Sequence, residues 1–262
     1  LIRRVDEARA AGIDVTMAQY PYTAGSTFLH VVIPPWYHSR GVDGLLRALR
    51  EERGAIKHDL DTRMDWENFS QSVGWEKIFV SSVVSEANQP CVGKSISQIA
   101  AERGHADPAD AAFDLLVEEQ LAVGMISFGL DEADITAIMR HPAVSFITDG
   151  LMSGRPHPRA YATYPRILGR YVREQGVLSL EEAVRKMTSL PARKIRLRNK
   201  GVIAEGYDAD LVVFDPDTVI DKNSYDDPRV HPAGIAHVLV NGVFVVEDAA
   251  LTGARPGRVI RD

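Results

Sequence analysis

Apolar residues recur at helical spacing from Leu1 to Ala11, and Gly12 supplies a stop. Ile13, Val15 and Met17 then alternate with polar neighbours, which predicts a strand. That strand ends at Tyr20-Pro21, because proline cannot continue a central ladder. A helix joined to a strand by a short glycine turn is half of a βα repeat. The same rhythm returns late in the chain. Asp131 caps a predicted helix through Ile135, Ile138 and Met139, and the apolar run Val144 to Ile147 follows as a strand. Tyr164 to Glu174 reads as a helix stopped by Gly176. Ser179-Leu-Glu-Glu182 reads as a capping box opening the next helix.

The stretch from about 28 to 130 breaks this rhythm. Val42, Leu45, Leu46 and Leu49 predict a helix ending at Gly54, and residues 61–75 read as irregular. Residues 78–84 and 124–129 read as strands, and 96–103 as a short helix. Asp107-Pro108 opens a helix running to Leu121, with a capping acid and proline in its first turn. Such a length is too great for a loop between βα units, so an inserted subdomain is expected. After Lys200 the pattern becomes β. Leu211 to Phe214 reads as a buried strand, and two apolar runs flank Asn241-Gly242, a strong hairpin signal.

Composition narrows the classes. The 262 residues carry 45% hydrophobic and 25% charged residues, as ordinary globular chains do. A net charge of −6 without a basic stretch makes nucleic acid an unexpected partner. No apolar stretch reaches the roughly 18 residues of a membrane span. The single cysteine, Cys91, excludes an internal disulfide and fits a reducing, cytoplasmic setting. The chain opens inside a helix without an initiator Met, and is therefore expected to be a piece of a longer protein.

Candidate chemistry gathers at Asp149. It ends an apolar strand, where parallel α/β folds place their reactive groups. A carboxylate there can bind a metal or act as a general base, whereas an Asp-Gly pair is also an ordinary turn. Arg159, ten residues on, suits an anionic substrate through its planar fork, or an ion pair at a helix start. His157 is either a site residue or a structural one. The eight histidines include no pair separated by one residue and no His-Glu-x-x-His, so a self-contained zinc site is not expected. Cys91 has no histidine neighbour in its segment to activate it, and Ser26 lacks the second glycine of a nucleophile elbow.

Several runs together resemble the N-acyl-D-amino-acid deacylases (D-aminoacylases) of the amidohydrolase superfamily. They are Tyr20-Pro-Tyr-Thr-Ala-Gly-Ser-Thr27, Asp149-Gly150, Arg155-Pro-His-Pro-Arg159, Tyr164-Pro-Arg166, Leu190-Pro-Ala192, Lys200 through Leu211, His237 through Gly242, and Gly253 through Arg258. The resemblance implies an α/β fold. It would be the C-terminal part of a metal-dependent (β/α)8 TIM-like barrel, with an inserted subdomain and a small C-terminal β domain. Barrel residues would be 1–197, with about 28–130 as an inserted lid, and 198–262 would form the β domain. The strands ending at Tyr20 and Asp149 would be the seventh and eighth. The implied activity is zinc-dependent hydrolysis of N-acyl-D-amino acids to a carboxylate and a D-amino acid. Asp149 would be both metal ligand and proton carrier, while Tyr20, Ser26 and Arg159 would hold the substrate carboxylate. The family's remaining metal ligands lie on earlier strands, so the partner implied is an N-terminal half, and the isolated chain is expected to be inactive. The alternatives are another amidohydrolase, of dihydroorotase or hydantoinase type, or a non-catalytic fragment.

Overall fold

A computed structural model describes residues 1–260. The strands among them are β1 (Met17–Gln19), β2 (Gly25–Phe28), β3 (Ile78–Ser82), β4 (Gly124–Ser127), β5 (Val144–Phe146), β6 (Leu211–Phe214), β7 (Ile235–Val240), β8 (Val243–Glu247) and β9 (Ala250–Leu251). The chain divides into two compact units. The first comprises residues 1–21, 132–149 and 158 onward; the second comprises 22–131 and 150–157.

In the first unit, β1 and β5 run parallel, with Met17 opposite Val144 and Gln19 opposite Phe146. Helices Ile2–Ala10, Glu132–Met139, Arg159–Arg166, Leu180–Met187 and Ser189–Lys194 accompany them. Ile135, Met139, Val144, Phe146, Ile167, Tyr171 and Ala183 form one buried cluster. Lys186 is fully buried there, and its ammonium donates to the Met139 and His141 carbonyls, each at 2.6 Å. That cation satisfies carbonyls left open where helix Glu132–Met139 ends, and so fixes the turn into β5. The first strand is shorter than its alternation predicts. Val15 donates to the Ile13 carbonyl in a tight turn, and pairing starts only at Met17. The expected helix over 164–174 starts earlier, at Arg159, and continues as a π-helical stretch, Ile167–Glu174. Ser179 caps the next helix from one side, accepting the Glu182 N–H at 3.2 Å.

Further on, β6 to β9 form an antiparallel sheet in sequence order. Asn241 and Gly242 both take positive φ, at 48° and 79°, which matches the twist of the β7–β8 hairpin. β6 is not the buried strand its apolar run predicts: Val212 and Val213 are 55% and 50% exposed. Residues 215–234 form a strap between β6 and β7. Asp221 pairs with Arg166 at 2.7 Å, and Asn223 donates to the Pro158 carbonyl at 2.9 Å.

The second unit holds the antiparallel sheet β2-β4-β3. Its core joins Leu29, Leu49, Ile56, Ile78, Ile99, Phe113, Leu116 and Met125. Helix Pro108–Glu118 begins as predicted, with the Asp107 carboxylate accepting the Ala109 N–H at 2.9 Å. It stops before Leu121, because Gln120 and Leu121 turn left-handed. Gly54 ends nothing. Helix Gly41–Glu51 is followed at once by helix Arg53–Thr62, whose Ile56 and Leu60 are buried. Ion pairs from Arg53 to Asp114 and from Lys57 to Asp107 and Asp110 tie that second helix to Pro108–Glu118 and its cap. Residues 61–75 are mostly irregular, with one turn of helix at Phe69–Ser72.

Candidate active site

Asp149 lies just past β5 with φ of 46°, a left-handed conformation that aspartate tolerates better than most residues. The turn projects its carboxylate outward, and the side chain is 58% exposed. Arg159 stands at the start of helix Arg159–Arg166 and is almost wholly buried. Its Nη2 meets Asp149 Oδ2 at 2.8 Å. Its guanidinium also lies over the Tyr20 ring, 4.3 Å from the centroid. Tyr20 follows β1, so the parallel β1–β5 pairing brings its strand end beside that of Asp149. Three of the four residues predicted from sequence therefore meet at one place. Ser26 belongs to the second unit, in β2, opposite Ile126 of β4.

The electrostatics follow from this packing. Burial raises the Tyr20 pKa; the Arg159 cation and its hydrogen bond oppose that rise, and the Asp149 charge adds to it. The phenol is thus neutral and able to donate a hydrogen bond. Arg159 has a charged partner on one side and an aromatic face on the other, which holds its planar fork in a fixed pose.

Sequence reasoning passed over the groups around this pair. Arg166 donates to the Pro21 carbonyl at 2.9 Å, and Tyr171 donates to the same carbonyl at 3.4 Å. Tyr225, on the strap, lies within electrostatic reach of Arg166, Tyr20, Tyr171 and Arg159. Its pKa is pushed up to about 12, by burial first, with the two arginines opposing. No local pattern could have revealed Tyr225, since the strap reaches the site only through tertiary contacts at Asp221 and Asn223. His157 takes its structural reading. It is buried in the second unit, its Nε2 bonds the Ala24 carbonyl at 3.0 Å, and Tyr22 packs edge-on against it.

At one strand end, then, a carboxylate, a guanidinium and a phenol stand together. The sequence profile of the Amidohydrolase family matches residues 89–246, and the chain belongs to that family. Within it, the chain is a homologue of the D-aminoacylases and N-acyl-D-glutamate deacylases. It is 38% identical over 261 residues to the N-acyl-D-glutamate deacylase of Alcaligenes xylosoxydans xylosoxydans, covering 99% of this chain and 44% of that protein. It is 36% identical over 255 residues to the D-aminoacylase of the same organism, covering 97% and 43%. Among solved structures, N-acyl-D-glutamate deacylase from Bordetella bronchiseptica, complexed with zinc and a phosphonate mimic of the tetrahedral intermediate, superposes with a TM-score of 0.75. That match has 34% identity and covers 100% of this chain and 45% of that one. A D-aminoacylase crystal structure gives a TM-score of 0.71 at 34% identity, covering 97% and 44%. The chain thus spans less than half the length of these relatives. It is a mixed α/β structure that aligns with part of them, and no closed barrel forms among the described residues.

The relative's zinc can be tested against the donors present. Among the described residues no three His, Cys, Asp or Glu side chains converge. Asp149 has a guanidinium, not further donors, at its carboxylate. These residues do not by themselves make a zinc site.

Proposed function

We propose that this chain is the C-terminal part of an N-acyl-D-amino-acid deacylase, which hydrolyses the amide to a carboxylate and a D-amino acid. Residues 1–197 would supply the end of a (β/α)8 barrel, with about 28–130 inserted as a lid, and residues 198–262 the small β domain. The observation that carries the proposal is the Asp149–Arg159–Tyr20 cluster, in a chain homologous to deacylases along almost its whole length. In this reading Asp149 takes a proton from the attacking water and returns it to the leaving nitrogen. Arg159 holds the substrate's α-carboxylate, since a guanidinium fork matches a carboxylate in two-point contact. Tyr20 adds a hydroxyl donor and keeps the guanidinium in plane, and Ser26 contributes a second hydroxyl. The zinc of the relatives, and its ligands other than Asp149, would come with the rest of the barrel.

The test is a substrate comparison in the enzyme that contains this chain. Arg159→Leu should cost roughly 1.5–3 kcal/mol in kcat/KM on an N-acyl-D-amino acid, the worth of a charge-assisted hydrogen bond. An N-acyl amine lacking the carboxylate should lose nothing further. Equal losses on both substrates would assign Arg159 to structure alone.

A further inference from the structure

The strap over residues 215–234 reaches both walls of the Asp149–Arg159–Tyr20 cluster without supplying any of those three side chains. All of these residues lie in the first unit. The strap's first contact runs through Arg166. Asp221 accepts from Arg166 Nη1 at 2.7 Å, and the same guanidinium donates through Nε to the Pro21 carbonyl at 2.9 Å. The Arg166 and Asp221 side chains are 19% and 9% exposed, so the pair lies largely out of water, where a charged hydrogen bond is strong and directional. Pro21 directly follows Tyr20, and its ring restricts the backbone of both. Holding the Pro21 carbonyl therefore holds the Tyr20 ring that faces Arg159.

The second contact is on the other wall. Asn223 donates to the Pro158 carbonyl at 2.9 Å and to the Pro228 carbonyl at 3.0 Å. Pro158 precedes Arg159 and stands at the N-cap of its helix. That helix leaves helical geometry at Ala162, with φ of −137° and ψ of 18°. The turn carrying Arg159 is thus kinked away from the rest of the helix, and its direction depends on what touches it. The strap is stiff here. Ser224 Oγ accepts the Asp226 and Asp227 N–H groups at 3.2 and 3.0 Å, and the Ser224 N–H donates to the Asp227 carbonyl at 3.1 Å. Asn223 Oδ1 is buried with no hydrogen-bond partner, so the amide is kept for its two donor bonds at a cost.

We propose that Asp221 and Asn223 are positioning residues for the deacylase site. Two residues apart on one stiff segment, they fix Pro21 through Arg166 and Pro158 directly, and so set how the Tyr20 ring and the Arg159 guanidinium face each other. A guanidinium fork grips a carboxylate in two-point contact only while its plane is held, and a small misplacement weakens the grip steeply. Neither residue needs to touch substrate. Their effect falls on binding of the carboxylate, not on proton transfer at Asp149. The inference rests on the proposed role of Arg159 as the carboxylate's partner.

The experiment uses the enzyme that contains this chain, with an N-acyl-D-amino acid and an N-acyl amine carrying the same acyl group. Asp221→Ala and Asn223→Ala should each raise KM for the N-acyl-D-amino acid about tenfold, with kcat kept within about twofold. KM for the N-acyl amine should stay within about twofold. Asp221→Asn keeps an oxygen for Arg166 and should lose less than Asp221→Ala. Arg159→Leu is measured beside them. If it discriminates between the substrates and the strap variants do not, the strap's role is overturned and the deacylase reading stands. Strap variants that lose equally on both substrates would report structural support alone and overturn the inference as well. If Arg159→Leu itself does not discriminate, both readings fall together. Should an alanine variant fail to fold, Asp221→Asn and Asn223→Ser carry the same comparison.

Discussion

Arg159 was legible from sequence as either a substrate fork or an ion pair, and the structure gives it a pair with Asp149 over the Tyr20 face. The carboxylate reveals itself locally because a strand end followed by glycine is a short-range pattern. The arginine's surroundings do not, because Tyr20 and Tyr225 reach it from opposite ends of the chain. Glu119 was invisible for the same reason. It is a buried acid whose partners lie more than thirty residues upstream: the Val84 and Ser85 N–H groups, the Ser85 hydroxyl and the Asn88 amide. Burial alone would raise its pKa, yet these bonds outweigh burial and hold it at about 2, against an ordinary 4.5. A depressed folded-state pKa means stability that is full above the unfolded value and lost as pH falls through the folded one. Glu119→Gln should therefore destabilise the chain by about 2–3 kcal/mol at pH 7. The gap should close between pH 4.5 and about 2. Denaturant melts of both proteins across that window check it; a gap that stays constant with pH would remove the charge from the explanation.

Short-range signals predicted the elements well where the chain obeys its own local chemistry. The Asp107 cap, the Asn241-Gly242 hairpin and the parallel strands ending near Tyr20 and Asp149 all form. Errors fall where tertiary contacts override propensity. Helix Arg53–Thr62 persists despite Gly54, because its buried Ile56 and Leu60 and its ion pairs to Asp107, Asp110 and Asp114 hold it. The strap over 215–234 has no regular pattern, and its course is set by close approach. Gly234 has φ of 78°, and a Cβ there would lie 2.4 Å from Val219 N and 2.5 Å from its Cα. Neither atom can yield without moving the strap, which carries Asn223 to the Pro158 carbonyl beside Arg159. Gly234→Ala should cost about 2 kcal/mol or more, from left-handed strain plus the clash. It should lower Tm and speed hydrogen exchange at residues 219–223. An unchanged Tm would show that the contact relaxes freely.

At the scale of the molecule, the chain holds two units, matches the Amidohydrolase family from residue 89 to 246, and spans less than half of its deacylase relatives. The family was legible because its signature runs are contiguous in sequence. The described residues bring no three metal donors together. The deacylase reading therefore stands or falls on Asp149 working within a complete barrel. Its most direct test grafts residues 1–262 in place of the matching 44% of N-acyl-D-glutamate deacylase. Turnover of N-acyl-D-amino acids is then measured with and without Asp149→Asn. Asparagine keeps the shape and tolerates the left-handed φ, so only proton transfer and charge are removed. The account predicts a folded graft that turns over substrate, and an Asn variant slower by orders of magnitude, at least the roughly 10²-fold worth of a general base. A folded Asn variant that keeps a tenth or more of the graft's turnover would contradict it.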